Sequence, residues 1–146
     1  MKHIEYEIQK QVCKYLELQY PGILFASDTI GNVKLTAIQG ARNKAIQKTD
    51  FRTPDLLIFH PKNGYAGLLI ELKKESPFYK CQYCCLKKDA RIEAQSRDLT
   101  RLNIEGYFAC FSFSFNMTKA IIDYYMGECK PQIEPHTEYF YEFFDR

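Results

Sequence analysis

Asp55, Glu71 and Lys73 are the residues of this chain whose types and spacing could do chemistry together. Asp55 follows Pro54 at the start of the segment TPDLLIFH, and Glu71 and Lys73 close the segment AGLLIELK. Between the two lies Pro61-Lys62-Asn63-Gly64, a turn signal. Side chains two apart on a strand share a face, so Glu71 and Lys73 project together while Leu72 turns into the core. Two strands joined by so short a link are most simply an antiparallel pair. The start of one then lies beside the end of the other, and Asp55 falls near Glu71. Two carboxylates at close range repel, and each raises the pKa of the other. A divalent cation removes that conflict, and Mg²⁺ in particular takes one or two carboxylates together with waters and a phosphate. A lysine beside it can position or deprotonate an attacking water, or offset charge building on a phosphate. Asp after Pro is also a common turn feature, and E-L-K on a strand is often only a solvated ion pair. The chemical reading rests on the two pieces sitting at matching ends of one hairpin, and on the wholly apolar GLLI before Glu71.

A third carboxylate comes from the first element. Residues 3–20 read as a helix, with Ile4, Ile8, Val12, Tyr15, Leu16 and Leu18 near the 3.6-residue period and Pro21-Gly22 ending it. On a wheel of about 100° per residue, Glu5 falls inside this apolar arc and Glu7 just outside its opposite edge. An acid on an inward face needs a metal, a lysine or hydrogen bonds, although the helix macrodipole alone also makes a carboxylate comfortable near an N-terminus. Glu5 is favoured over Glu7 as the helix acid, with the choice left open.

The elements that must position these groups follow in order. Residues 23–28 read as a short strand, 29–36 as a loop around Gly31-Asn32, and 37–49 as a basic helix or loop. The hairpin comes next, with its proline at a strand start. Residues 75–88 read as irregular. A second helix spans 89–105, with Ile92, Leu99 and Leu102 on one side, Arg91, Arg97 and Arg101 left to solvent, and Gly106 as its cap. YFACFSFS is a further strand and 117–126 a further helix. The expected fold is therefore α/β, a central mixed sheet flanked by helices. Residues 1–127 form the main unit, with an insert at 75–89, and 128–146 form an acidic, aromatic tail that packs on its own core or on a neighbour.

The chain has 146 residues, 46% of them hydrophobic and 26% charged. That suits one globular domain and excludes a disordered or collagen-like chain. No apolar run reaches membrane-spanning length, and the N-terminus has no apolar core of signal-peptide length. A cytoplasmic protein with reduced cysteines is the expectation. The net charge of +2 hides an asymmetry: residues 72–101 carry eight Lys/Arg against four acids, and residues 128–146 carry five acids against two basic residues.

Taken together these pieces resemble the VRR-NUC branch of the PD-(D/E)XK nuclease superfamily. The signature is Pro54-Asp55, fifteen residues, then Glu71-Leu72-Lys73. The opening helix with Glu5 and Gln9 precedes it, and Gln95, EGYFACFSFS and IIDYYMG follow it. The resemblance implies a restriction-endonuclease-like core. It also implies Asp55, Glu71 and the Leu72 carbonyl as ligands of Mg²⁺ or Mn²⁺, Glu5 as a ligand through water, Lys73 as the catalytic lysine, and Gln95 in support. It further implies hydrolysis of DNA phosphodiesters, with branched DNA such as a Holliday junction as substrate. Small viral and bacterial members of this kind work as homodimers, and a two-fold dimer would present two sites to two strands. An exonuclease or end-processing enzyme of the same fold, and a non-catalytic nucleic-acid-binding module, are the alternatives. The chain departs from the family in having Phe51-Arg52-Thr53 before Pro-Asp and ESPFYKCQYCCLKKD after the lysine.

Arg42, Lys44, Lys48 and Arg52 before the hairpin, and Lys74, Lys80, Lys87 and Lys88 after it, could follow a phosphate backbone or simply be a solvated face. Phe78, Tyr79 and Tyr83 could stack on bases or pack. Cys81, Cys84 and Cys85 supply three of the four ligands a structural Zn²⁺ wants, with Cys129 or His60 able to complete the set. A reduced loop is the competing reading. Cys13 and Cys110 read as small core residues.

Overall fold

In a computed structural model, residues 3–27, 34–80, 82–127 and 132–145 are described. The Gly31-Asn32 turn, Cys81 and Cys129 lie outside them.

Helix α1 (Ile4–Gln19) leads into β1 (Phe25–Ser27), α2 (Ala37–Ala45), β2 (Leu56–Ile58) and β3 (Leu68–Leu72). Strands β4 (Phe78–Tyr79) and β5 (Gln82–Leu86) follow, then α3 (Ala90–Ile104), β6 (Phe108–Ser112), α4 (Phe115–Met126) and α5 (Glu138–Phe144). The main sheet runs β1-β2-β3-β6. Strands β1, β2 and β3 pair antiparallel, and β6 pairs parallel to β3. The mixed sheet flanked by helices is the one the sequence predicts. The parallel pair needs a crossover, and α3 is the helix within it, packing on β6. Gly106, at φ 96°, turns α3 into β6 in a conformation that side chains rarely adopt. At the start of β3, a Cβ on Gly67 would sit 2.8 Å from the Ile58 carbonyl, so only glycine lets β2 and β3 approach there.

Strands β3 and β6 are buried on both faces. Leu68 to Leu72 and Phe108 to Ser112 are all buried, which explains why neither segment alternates in polarity. Helix α1 packs on β3 and α4. Its hold on α4 includes Asp123, which accepts hydrogen bonds from Tyr15, Tyr20 and Lys119.

Two expectations are corrected. Residues 75–88 are not irregular: Phe78–Tyr79 and Gln82–Leu86 form a two-stranded antiparallel hairpin whose Phe78 ring packs on Phe111 and Tyr141. The apolar arc of α1 is narrower than its periodicity implies. Ile4 and Leu18 are exposed, and the buried side chains are Gln9, Val12 and Leu16.

The acidic, aromatic tail closes on its own core. Thr137 caps α5, and Phe140, Tyr141 and Phe144 are buried. The Phe111 amide donates to the Tyr141 hydroxyl at 2.9 Å, and that hydroxyl lies 2.6 Å from His136 Nδ1. His136 Nε2 in turn reaches Ser96 on α3. Two residues earlier on β6, the Asn103 side chain bonds both the amide and the carbonyl of Ala109.

Candidate active site

The hairpin register opposes Leu56 to Ile70; continued one step it opposes Asp55 to Glu71, and two steps Pro54 to Leu72. Pro54 has no N–H to offer the Leu72 carbonyl. The Leu72 amide donates instead to Asp55 Oδ2 at 2.8 Å. The Pro-Asp pair thus ends the ladder in a particular way: the aspartate is fixed to the partner strand, and a backbone carbonyl is left facing it. On the other side of β3 the ladder continues, with the Lys73 amide donating to the Ser112 carbonyl at 2.8 Å.

Glu71 is 8% exposed. Gln95 Nε2, from α3, donates to its Oε1 at 2.6 Å, and Lys73 Nζ lies 3.6 Å from the same oxygen. Burial and the nearby charge of Asp55 push the Glu71 carboxyl up to about 8, while Lys73 and Arg91 pull the other way. Even these two cations do not restore an ordinary acidity to the buried group. Asp55, Glu71, Lys73 and Gln95 are therefore brought together as the sequence predicts.

Glu5 is a correction. It is exposed rather than turned inward, and its Oε1 accepts from the Lys74 amide at 3.3 Å, just beyond β3. Gln9, one turn on, is the inward polar residue of α1. It donates to Ser27 Oγ on β1 and lies 3.4 Å from the Asp55 carbonyl. The helix therefore touches the site through a glutamate at its rim and a glutamine behind Asp55.

Arg91 is exposed, as the sequence predicts, and its charge also acts on Glu71. The signal was in the sequence: Arg91 and Gln95 are four apart, which places them on one helix face. Arg101 is exposed too, but it has partners within the fold. It pairs with Asp98 at 3.2 Å, donates to the Asp50 carbonyl, and lies over the Phe51 ring. Asp98 also accepts from the Arg52 amide, so this cluster holds the approach to β2 in place. The Arg52 side chain is exposed, as are Lys74, Lys48 and the two basic residues of α2, Arg42 and Lys44. Helix α2 has a capping box between Thr36 and Gln39 and buries none of its residues.

A divalent cation fits these residues. Two acidic side chains in partly buried positions repel one another, and Gln95 Oε1 is buried with no hydrogen-bond partner among the described residues. With Asp55, Glu71 and the Leu72 carbonyl, the donors are all oxygens, which suits Mg²⁺ or Mn²⁺. Among the described residues no group of three or more His, Cys, Asp or Glu could hold a metal ion, so waters and substrate oxygens would complete its shell. Cys84 and Cys85 are exposed on β5 with their sulfurs 3.4 Å apart, while the Cys81 of the predicted zinc set lies outside the described residues.

No protein-family model matches the chain, and no curated protein matches it. Among solved structures it is similar to a VRR_NUC domain protein, with a TM-score of 0.57 and 20% identity. The match covers 86% of this chain and 90% of that one. No helix among the described residues is long and apolar enough to cross a membrane. With the hairpin carrying Asp55 and Glu71, the crossover through α3 to a parallel β6, and this match, the chain has a VRR-NUC-like, restriction-endonuclease-like fold.

Proposed function

We propose that this protein is a nuclease that uses Mg²⁺ or Mn²⁺ to hydrolyse DNA phosphodiesters, with branched DNA as its substrate and a homodimer as its working form. The observation that supports this most is the joining of Asp55, Glu71 and Lys73 at one end of the β2–β3 hairpin, with Gln95 bonded to Glu71. Asp55, Glu71 and the Leu72 carbonyl would hold the cation, and Glu5 would reach it through water. When bound, the cation would activate water and stabilise charge on the phosphoryl oxygens.

The chain's own residues have separable tasks. The Leu72 amide fixes one Asp55 oxygen and so orients the other. Gln95 fixes Glu71 from behind. The Lys73 ammonium, 3.6 Å from Glu71, would orient the attacking water or offset charge at the phosphate. The exposed Arg42, Lys44, Lys48, Arg52 and Lys74 would follow the DNA backbone.

The test is cleavage of labelled four-way junction, flap and linear duplex with Mg²⁺ or Mn²⁺. The expected result is cutting of the junction on paired strands, abolished in Asp55→Ala. Preference for duplex ends would reassign the enzyme to end processing. No cutting of any substrate, or cutting by Asp55→Ala as by wild type, would overturn the catalytic reading.

A further inference from the structure

We infer that Arg91 forms a phosphate-binding corner of the site, taking a phosphodiester oxygen pair on the α3 side of the carboxylates. This rests on the nuclease reading for the identity of the anion. The placement comes from α3 itself. Residues four apart on a helix lie one above the other, and side chains lean toward the N-terminus. Gln95 is buried against Glu71, so Arg91 stands one turn ahead of it, where the same face emerges into solvent. Arg91 is exposed.

The three arginines of α3 differ in what they do. Arg101 is engaged by Asp98, the Asp50 carbonyl and the Phe51 ring. Arg97 is exposed and lies six residues from Arg91, on another face. The Arg91 guanidinium has no ion pair or hydrogen bond among the described residues; only its backbone amide is used, donating to Asp89. The end of α3 does not offer itself to an anion, because the Asp89 side chain already takes the amides of Arg91 and Ile92 at 2.8 and 3.3 Å. The positive charge available beside Glu71 on this helix is therefore a side chain, and a planar one. A guanidinium binds a phosphate through two parallel N–H donors, which fixes its orientation as an ammonium does not.

The experiment measures binding of a fluorescent DNA junction by the Asp55→Asn protein, which does not cut, across a series of salt concentrations. Adding Arg91→Ala is expected to weaken binding by about tenfold and to lower the slope of log affinity against log salt by about one. Arg91→Lys should keep the slope and recover only part of the affinity. Arg97→Ala serves as the exposed control, and the thermal midpoint of each variant reports folding. Unchanged affinity and slope in Arg91→Ala, or an equal effect from Arg97→Ala, would overturn the assignment. The two readings separate cleanly. If the wild type cuts DNA but Arg91→Ala binds normally, Arg91 is lost and the nuclease stands. If the wild type binds but never cuts, the nuclease is lost while the slope still decides Arg91. If no DNA is bound at all, both are lost.

Discussion

The Leu72 amide donates to Asp55 Oδ2 at 2.8 Å, so a single hydrogen bond both ends the β2–β3 ladder and aims a carboxylate. Removing the carboxylate has two consequences that can be separated. Asp55→Ala leaves the Leu72 amide without its acceptor, at a cost of about 1–3 kcal/mol in denaturant unfolding. Asp55→Asn retains an acceptor oxygen and should unfold close to wild type. Both should lose cleavage by at least about a hundredfold, the scale on which removal of a group at the reacting centre is felt. Equal stability of the two variants would show that this bond does not shape the strand end.

Gln95 donates a hydrogen bond to Glu71 from α3. Gln95→Ala should leave the fold intact but raise the Mg²⁺ or Mn²⁺ concentration for half-maximal cleavage by about ten- to a hundredfold, as loss of an outer-shell partner does. Rate at saturating cation should change much less. A fall in saturated rate with an unchanged cation requirement would argue instead for a direct role in catalysis.

His136 sets a pH dependence on stability. Burial depresses it from the ordinary 6.5 to about 4, outweighing the Ser96 carbonyl, which favours the charged form. In the neutral form Nε2–H donates to the Ser96 carbonyl, and Nδ1 accepts from Tyr141, whose oxygen accepts from Phe111. A histidine depressed on folding is protonated first in the unfolded chain. Its contribution is thus complete above about pH 6.5 and disappears as pH falls toward 4. The difference is about 3 kcal/mol. Unfolding in urea at pH 7 and pH 5 should show part of this loss in the wild type. His136→Asn should lack the step, since asparagine tolerates the φ of 62° found there.

Asp123 ties α1 to the rest of the protein. Although burial alone would raise it, hydrogen bonds from Tyr15, Tyr20 and Lys119 hold its carboxyl below the usual range. Asp123→Ala strands two phenols and should destabilise by about 1–3 kcal/mol. Because Glu5 and Gln9 ride on α1, the variant should also lose activity before it unfolds. Full activity up to the melting transition would show that α1 needs no such anchor to serve the site.

The hairpin site was legible in the sequence because everything that makes it is local. Pro54, the turn at 61–64 and the period-two spacing of Glu71 and Lys73 all act within twenty residues of one another. Glu5 was misjudged because a helical wheel assumes that the buried arc is the apolar one. In α1 that arc contains Gln9, whose partners are Ser27 on β1 and Asp55 just before β2. The β4–β5 hairpin escaped notice for the opposite reason. Its residues do not alternate in burial, and the one buried side chain in these strands is Phe78. The docking of α5 depends on Tyr141 and His136 meeting Phe111 and Ser96, pairings thirty and forty residues apart that no periodicity encodes.

The side chains of Asn103 and Tyr141 occupy backbone groups of Ala109 and Phe111, the alternate residues of β6 that face away from β3. An unpaired sheet margin is ordinarily a template for another chain, whether in strand addition or in aggregation. Here that template is blocked at two successive outward positions by residues of the same molecule. A strand added at β6 would therefore first have to expel the side chains of Asn103 and Tyr141.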